Sequence, residues 1–181
     1  QGYNLATPLQ LAFSTSIIAN KGTAFRPHLV KRIQNSKTGE IFERAPKILY
    51  QLNLNPDNLA IVRNALIGVT KTGGTAAKAG VGAGYTFAGK TGTSQVISIK
   101  QGEKYDEDAI NERHRDHALF IAYAPAENPS IALSVLVENV SHGSSAAAPI
   151  ARQVMDYALL GKLPANMEEK PVDGNRENEH D

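Results

Sequence analysis

The chain has 181 residues, a formal net charge of +1, 41% hydrophobic residues and no cysteine. That length supports one domain with a core, and the near-neutral balance gives no basis for a nucleic-acid partner. The lack of cysteine excludes a disulfide frame, a thiolate nucleophile and a cysteine metal site, and no apolar run reaches the roughly 18 residues needed to span a bilayer.

Thr7-Pro8-Leu9-Gln10 opens the first element. Thr7 is placed to cap, Pro8 to take the first helical position and Gln10 to close a capping box. Leu9, Phe13 and Ile17 follow at helical spacing until Asn20-Lys21-Gly22 stops the run. Phe25 to Val30 reads as extended, and Asn35 to Glu40 as a hairpin turn. Asn55-Pro56-Asp57 starts a second helix with Leu59, Val62, Leu66 and Val69 on its apolar stripe. Lys71-Thr72-Gly73 ends that helix and leads into a turn-rich stretch up to Gly84.

Next comes Ala88-Gly89-Lys90-Thr91-Gly92-Thr93-Ser94, between apolar flanks that favour a strand. Alternation puts Thr91 and Thr93 on one face and Lys90 with Gly92 on the other. A mid-strand glycine marks close approach by a ligand or another backbone. One reading is an anion-recognising wall of an acyl-transfer site, where main-chain groups align a peptide while hydroxyls and an ammonium meet its carboxylate. The other is an ordinary strand with an exposed lysine. Gly84 to Thr91 also fits the phosphate-loop pattern. However, a buried strand should precede that loop and a helix follow it, and the residues on either side favour neither.

The charged stretch Lys100 to Asp116 reads as a solvated loop beside this strand. Two apolar strands follow, Ala118 to Ala124 and Ile131 to Val137, joined by a turn over Pro125 to Pro129; their near-continuous apolarity calls for cover on both faces. A final helix over Ala147 to Leu160 carries Ile150, Val154 and Tyr157 on one side, and Gly161 and Pro164 end it. The organisation is one domain over 1–165 and a charged tail over 166–181, expected to be disordered.

Glu112, His114, Asp116 and His117 lack the helix-borne spacing of a metal site and read as a surface ion-pair cluster, with bracing of the neighbouring loop by Arg115 or His117 as the second reading. The Ser141, His142, Ser144 and Ser145 cluster has no carboxylate nearby in sequence and reads as a helix cap. His28 reads as structural. No metal or cofactor is expected.

Taken in order, several stretches resemble class B penicillin-binding proteins. They are Gln1-Gly2-Tyr3 with Ala6 to Gln10, Gly74-Thr75-Ala76, Ala88 to Gln95, and His117 to Pro125. The lead-in from Glu112 to His117 is most similar to the elongation-specific members, the penicillin-binding protein 2 group. The resemblance covers about residues 1 to 162. It implies an α+β fold of the penicillin-binding/β-lactamase-like transpeptidase type, an antiparallel sheet with helices on both faces. This chain would hold the C-terminal part, without the first two strands and the serine-bearing helix.

Of that family's three motifs, S-x-x-K, S-x-N and K-T-G, only the last is present, as Lys90-Thr91-Gly92. The chain opens without methionine and reads as a piece of a longer polypeptide, whose upstream part would bring the nucleophile. The resemblance gives Lys90 a catalytic and carboxylate-attracting role, places Thr91, Gly92 and Thr93 in substrate binding, and makes the Thr93 N–H half of an oxyanion hole. The implied activity is a peptidoglycan D,D-transpeptidase acting on stem peptides through a serine acyl-enzyme and blocked by β-lactam antibiotics. A β-lactamase, a D,D-carboxypeptidase and a non-turnover penicillin sensor share the fold. The implied partners are the upstream part of the polypeptide and membrane proteins of the elongation machinery, with the domain at the periplasmic face of the bacterial inner membrane.

Overall fold

The computed structural model describes residues 4–97, 110–140 and 143–164. Helix α1 (Pro8–Ala19) begins as its sequence dictates. The Thr7 side chain accepts the Gln10 N–H, and the Gln10 side chain accepts the Thr7 N–H at 2.8 Å, so two otherwise orphaned donors are met. Strand β1 (Thr23–Phe25) follows, then β2 (Arg32–Gln34) and β3 (Ile41–Glu43), which form the expected hairpin. Its turn is fixed by Asn35, whose side-chain oxygen accepts the N–H groups of Lys37 and Thr38. Strand β4 (Ile48–Gln51), which the sequence pattern did not single out, returns to pair antiparallel with β1.

Helix α2 (Pro56–Gly68) starts from an Asn55 cap. Its inward face keeps Leu59, Leu66 and Val69 of the expected stripe but not Val62. Val62 is exposed, while Arg63 turns inward between Leu59 and Leu66. The reason is local: the open carbonyls at the end of α1 and in the turn at Ala126 need donors, and only the guanidinium can serve both.

A short helix α3 (Ala77–Gly80) leads to β5 (Ala88–Ser94). Strands β6 (His117–Ala124) and β7 (Ile131–Val137) complete an antiparallel sheet of order β5-β6-β7, so β7 is an edge among the described residues. Helix α4 (Ala147–Leu160) closes the described chain, with Gly161 left-handed at its end.

Alternation along β6 builds two cores. Ala118, Phe120, Ala122 and Ala124 pack with Phe87 against Ala147, Ala148, Ala151 and Met155 of α4. On the opposite face Tyr123 and Ala88 pack with Ala19 of α1 and with Leu66 and Ile67 of α2. The apolar strands are thus covered on both sides, as their composition requires. On α4 the expected stripe is reversed. Ile150, Val154 and Tyr157 are exposed, because the alanine face lets the helix axis approach the sheet and leaves the larger side chains outside. Among the described residues no helix is long and apolar enough to cross a membrane. The expected tail over 166–181 and most of the charged loop lie outside the described residues.

Candidate active site

Strand β5 has β6 on one side and, among the described residues, no strand on the other. Its register sets which way each side chain faces: Ala88 lies opposite Tyr123, Lys90 opposite Ile121, Thr91 opposite Phe120, and Thr93 opposite Ala118. Cross-strand partners share a face. Thr91 and Thr93 therefore lie on the α4 side of the sheet, and Lys90 with Gly92 on the side of α1 and α2. Strand β5 runs on through Lys90 and Thr91 to Ser94, where a phosphate loop would already have begun its helix, so this pattern does not form one.

The four residues named from sequence come together. Lys90, Thr91, Gly92 and Thr93 line one cleft of about 640 Å³, with Thr75, Leu119, Gly143 and Ser144 as the other walls. Among the described residues its lining has one ammonium and no carboxylate. Lys90 is exposed, and its Nζ donates to the Thr91 carbonyl at 2.6 Å. The Thr91 and Thr75 hydroxyls are 3.2 Å apart, within hydrogen-bond reach. A wall of one cation and several hydroxyls along a strand edge suits an anionic group on an extended peptide.

Thr75, Gly143 and Ser144 were not assigned to the site from sequence. Thr75 is carried there by a tightly folded turn. Ala76 N–H donates to Val69 O at 2.9 Å, Gly74 N–H donates to Lys71 O at 2.8 Å, and the Thr70 hydroxyl donates to Phe87 O at 2.8 Å. Gly74 has to be glycine, since a Cβ there would collide with the carbonyls of Gly68 and Val69. The only signal of Gly143 in the sequence was a glycine in a serine-rich loop. In the fold it is a contact point: a Cβ at Gly143 would run into the carbonyl oxygens of Leu119 and Gly92. Gly92 thus gives clearance to another backbone, one of the two uses of a mid-strand glycine.

The helix-cap expectation for the serine loop is corrected. Ala146 occupies the cap position of α4 without a side-chain cap bond, Ala148 N–H donates to Gly143 O at 2.9 Å, and Ser144 lines the cleft. Ser141 and His142 lie outside the described residues.

The lead-in to β6 is also corrected. Asp116 is buried, at 3% exposure, and accepts the Val96 N–H at 3.2 Å. The Nδ1 of His117 accepts the Asn139 N–H at 3.0 Å. These bonds brace the segments after β5 and β7, and Asp116 is a buried brace and not a surface residue. Among the described residues no group of His, Asp and Glu side chains is placed to hold a metal.

A second polar knot joins α4 to the segment between α3 and β5. Arg152 Nε donates to Asp156 at 2.8 Å, its Nη atoms donate to the carbonyls of Ala79, Val81 and Gly82, and the Tyr85 hydroxyl donates to Asp156 at 2.7 Å. Burial and the Asp156 carboxylate push the Tyr85 phenol well above its usual range. Burial by itself would raise Asp156, but the hydrogen bonds from Arg152 and Tyr85 outweigh it and hold the carboxyl below its ordinary value.

The family model described as the penicillin-binding protein transpeptidase domain matches residues 1–156. A Haemophilus influenzae protein named peptidoglycan D,D-transpeptidase MrdA is 43% identical over 168 residues, 91% of this chain and 25% of that protein. Its Acinetobacter baumannii counterpart is 42% identical, over 88% of this chain and 23% of that protein. The chain therefore spans about a quarter of the curated relatives it matches. Among solved structures, Pseudomonas aeruginosa PBP2 in complex with WCK 5153 superposes with a TM-score of 0.68 at 42% identity, covering 93% of this chain and 33% of that one. A complex between PBP2 and MreC from Helicobacter pylori gives 0.63 at 28% identity, covering 89% of this chain and 26% of that one. With the α+β architecture and the Lys90-Thr91-Gly92 strand in its cleft, these matches establish that the chain belongs to the penicillin-binding protein transpeptidase domain family.

Proposed function

We propose that this chain is the substrate-recognising C-terminal part of a peptidoglycan D,D-transpeptidase of the elongation-specific group. The observation that carries the reading is the cleft at the β5 edge, where Lys90, Thr91 and Thr93 converge around Gly92 with no carboxylate among the described lining residues. In this reading the Lys90 ammonium attracts the terminal carboxylate of a stem peptide and joins the proton-transfer network. The Thr91 and Thr93 hydroxyls bind that carboxylate, and the Thr93 N–H supplies one oxyanion donor. Such a donor typically contributes about 10²–10³-fold to turnover. The serine nucleophile, its lysine and the second oxyanion donor come from the polypeptide upstream, since no serine here starts an S-x-x-K or S-x-N motif. β-Lactams bind as peptide mimics that acylate the same serine. We place the domain at the periplasmic face of the inner membrane, working with elongation-machinery membrane proteins; a relative solved in complex with MreC supports that class of partner.

Fluorescent-penicillin labelling tests the reading. The full polypeptide is expected to be labelled upstream of residue 1, with labelling reduced at least 100-fold by Lys90→Ala, in line with loss of an electrostatic donor. The 181-residue chain alone is expected to stay unlabelled. Label on this chain would overturn the assignment of an external nucleophile, and rapid release of the penicilloyl group would favour a β-lactamase.

A further inference from the structure

The direction of a peptide along β5 follows from the roles of its residues. With the reacting carbonyl at the Thr93 N–H and the terminal carboxylate at Lys90 and Thr91, the internal residues of the donor run toward Ser94 and Gln95. The residue that leaves therefore lies over Thr91, at the other end. The cleft does not stop there. A second depression of about 380 Å³ begins at the same Thr75 and Ser144 and continues along Gly73, Gly74, Lys78 and Ser145. It lies past the end of the donor, so no part of the donor reaches it.

The second half of a transpeptidation gives that hollow a use. The acyl-enzyme is resolved by an amine, which forms the new C–N bond as the serine ester C–O bond breaks and gives its proton to the serine oxygen. This step is the reverse of acylation in kind, so the attacking nitrogen takes the place of the nitrogen that left. The body of the acceptor then extends from the place of the departed residue, and the hollow beyond Thr75 adjoins that place.

The lining narrows what the acceptor carries. Among the described residues it holds one ammonium, Lys78, and no carboxylate. Lys78 is exposed, and its ammonium meets no hydrogen-bond or ion-pair partner among the described residues. It also stands on a fixed base. Ala76 and Ala79 on either side are buried, and the Arg152 guanidinium ties the carbonyls of Ala79, Val81 and Gly82 to α4. A lysine on a rigid turn, at the edge of a hydroxyl-lined hollow, has the chemistry of an anion subsite.

We propose that the compartment beyond Thr75 is the acceptor subsite, where Lys78 meets a carboxylate that the acceptor carries away from its attacking amine. The proposal rests on the function proposed above for the central compartment, and adds where the second substrate lies and which charge it bears.

The test uses the full polypeptide, acylated from a synthetic peptide ending in D-alanyl-D-alanine, with the products of aminolysis and hydrolysis measured together. The acceptors are D-α-aminopimelate and its distal carboxamide. Both present the α-amine and α-carboxylate of the departing D-alanine, and only the first carries a second negative charge. Aminolysis relative to hydrolysis should be about 2–5-fold greater with the dicarboxylate at low salt, as expected for a solvent-exposed charge pair. High salt should erase the preference. Lys78→Ala should bring the two acceptors level, and Lys78→Glu should reverse their order. No preference in the unsubstituted protein, or a preference that neither substitution changes, overturns the subsite and leaves the central compartment as read. Failure of the unsubstituted protein to form an acyl-enzyme with fluorescent penicillin would instead remove the reading of the central compartment, and the subsite with it.

Discussion

The hydroxyls of Thr75 and Thr91 lie 3.2 Å apart, joining the turn before α3 to the middle of β5. Either hydroxyl can donate to the other, and the contact ties the Thr91 side chain to the turn while leaving it further hydrogen-bonding capacity for the cleft. Replacing Thr75 by valine keeps the shape and removes the bond. A hydrogen bond of this kind contributes about 0.5–1.5 kcal/mol, so the second-order rate of penicillin acylation should fall about 2–10-fold. The melting temperature should hardly move, because Thr75 is exposed. Thr75→Ser should restore most of the rate; equal rates for the valine and serine variants would show that the contact does not matter.

Gly143 sets a different constraint. A methyl group there would occupy the space of the Leu119 and Gly92 carbonyl oxygens, all of them main-chain atoms that cannot rotate away. Gly143→Ala should therefore push the loop off the sheet, at a cost of about 1–3 kcal/mol in stability. Because Gly92 and Ser144 line the cleft, acylation should slow as well. Denaturant unfolding and labelling kinetics on the same preparation would check both effects. An alanine variant as stable as the parent would mean that the loop has room to yield.

The part of the fold legible in the sequence is the part written in local rules. Thr7 and Gln10 specify a cap within one turn of helix, Asn35 specifies a turn through its own side chain, and alternation from Lys90 to Thr93 sorts the site residues by face. What escaped is non-local. Nothing beside Arg63 in the sequence shows that α1 ends with an open carbonyl at Ala19. Nothing near Gly143 shows that Gly92 will arrive against it, 51 positions earlier in the chain by the difference of their numbers. The apolar stripe of α4 misled for a related reason: size made Ile150, Val154 and Tyr157 conspicuous, whereas close approach to the sheet selects alanine.

Arg63 offers a test of that non-local packing. Its guanidinium donates to Ala19 O and Ala126 O at 2.8 Å each and stacks over the Tyr123 ring at 5.4 Å. Arg63→Met preserves much of the apolar stem but leaves those carbonyls without their donor. Loss of charged hydrogen bonds plus the cation–π contact should cost about 2–5 kcal/mol. Arg63→Lys should recover only part, because one ammonium cannot serve carbonyls on two sides while stacking on the ring. Full recovery with lysine would mean that charge alone matters at this position.

The Tyr85–Asp156–Arg152 knot gives stability an acid limb whose direction follows from the carboxyl shift. Asp156 is held below its ordinary value in the folded protein, so folding favours its ionised form. Its contribution is complete above the unfolded value of about 3.9 and is lost as pH falls through that value toward the lower folded one. Asp156→Asn should therefore destabilise the protein at pH 7 and converge with the parent as the solution is acidified below about pH 4. The opposite sign holds for Tyr85, whose raised value favours the neutral phenol in the fold, so its contribution persists through neutral pH and fades only in strong alkali. Tyr85→Phe removes one of the two hydrogen bonds that lower Asp156 and should shrink the acid limb without abolishing it, since Arg152 Nε still donates at 2.8 Å. Urea midpoints for the three proteins between about pH 3 and pH 8 would measure this. Parallel curves at every pH would show that Asp156 is not held in its charged form by the fold.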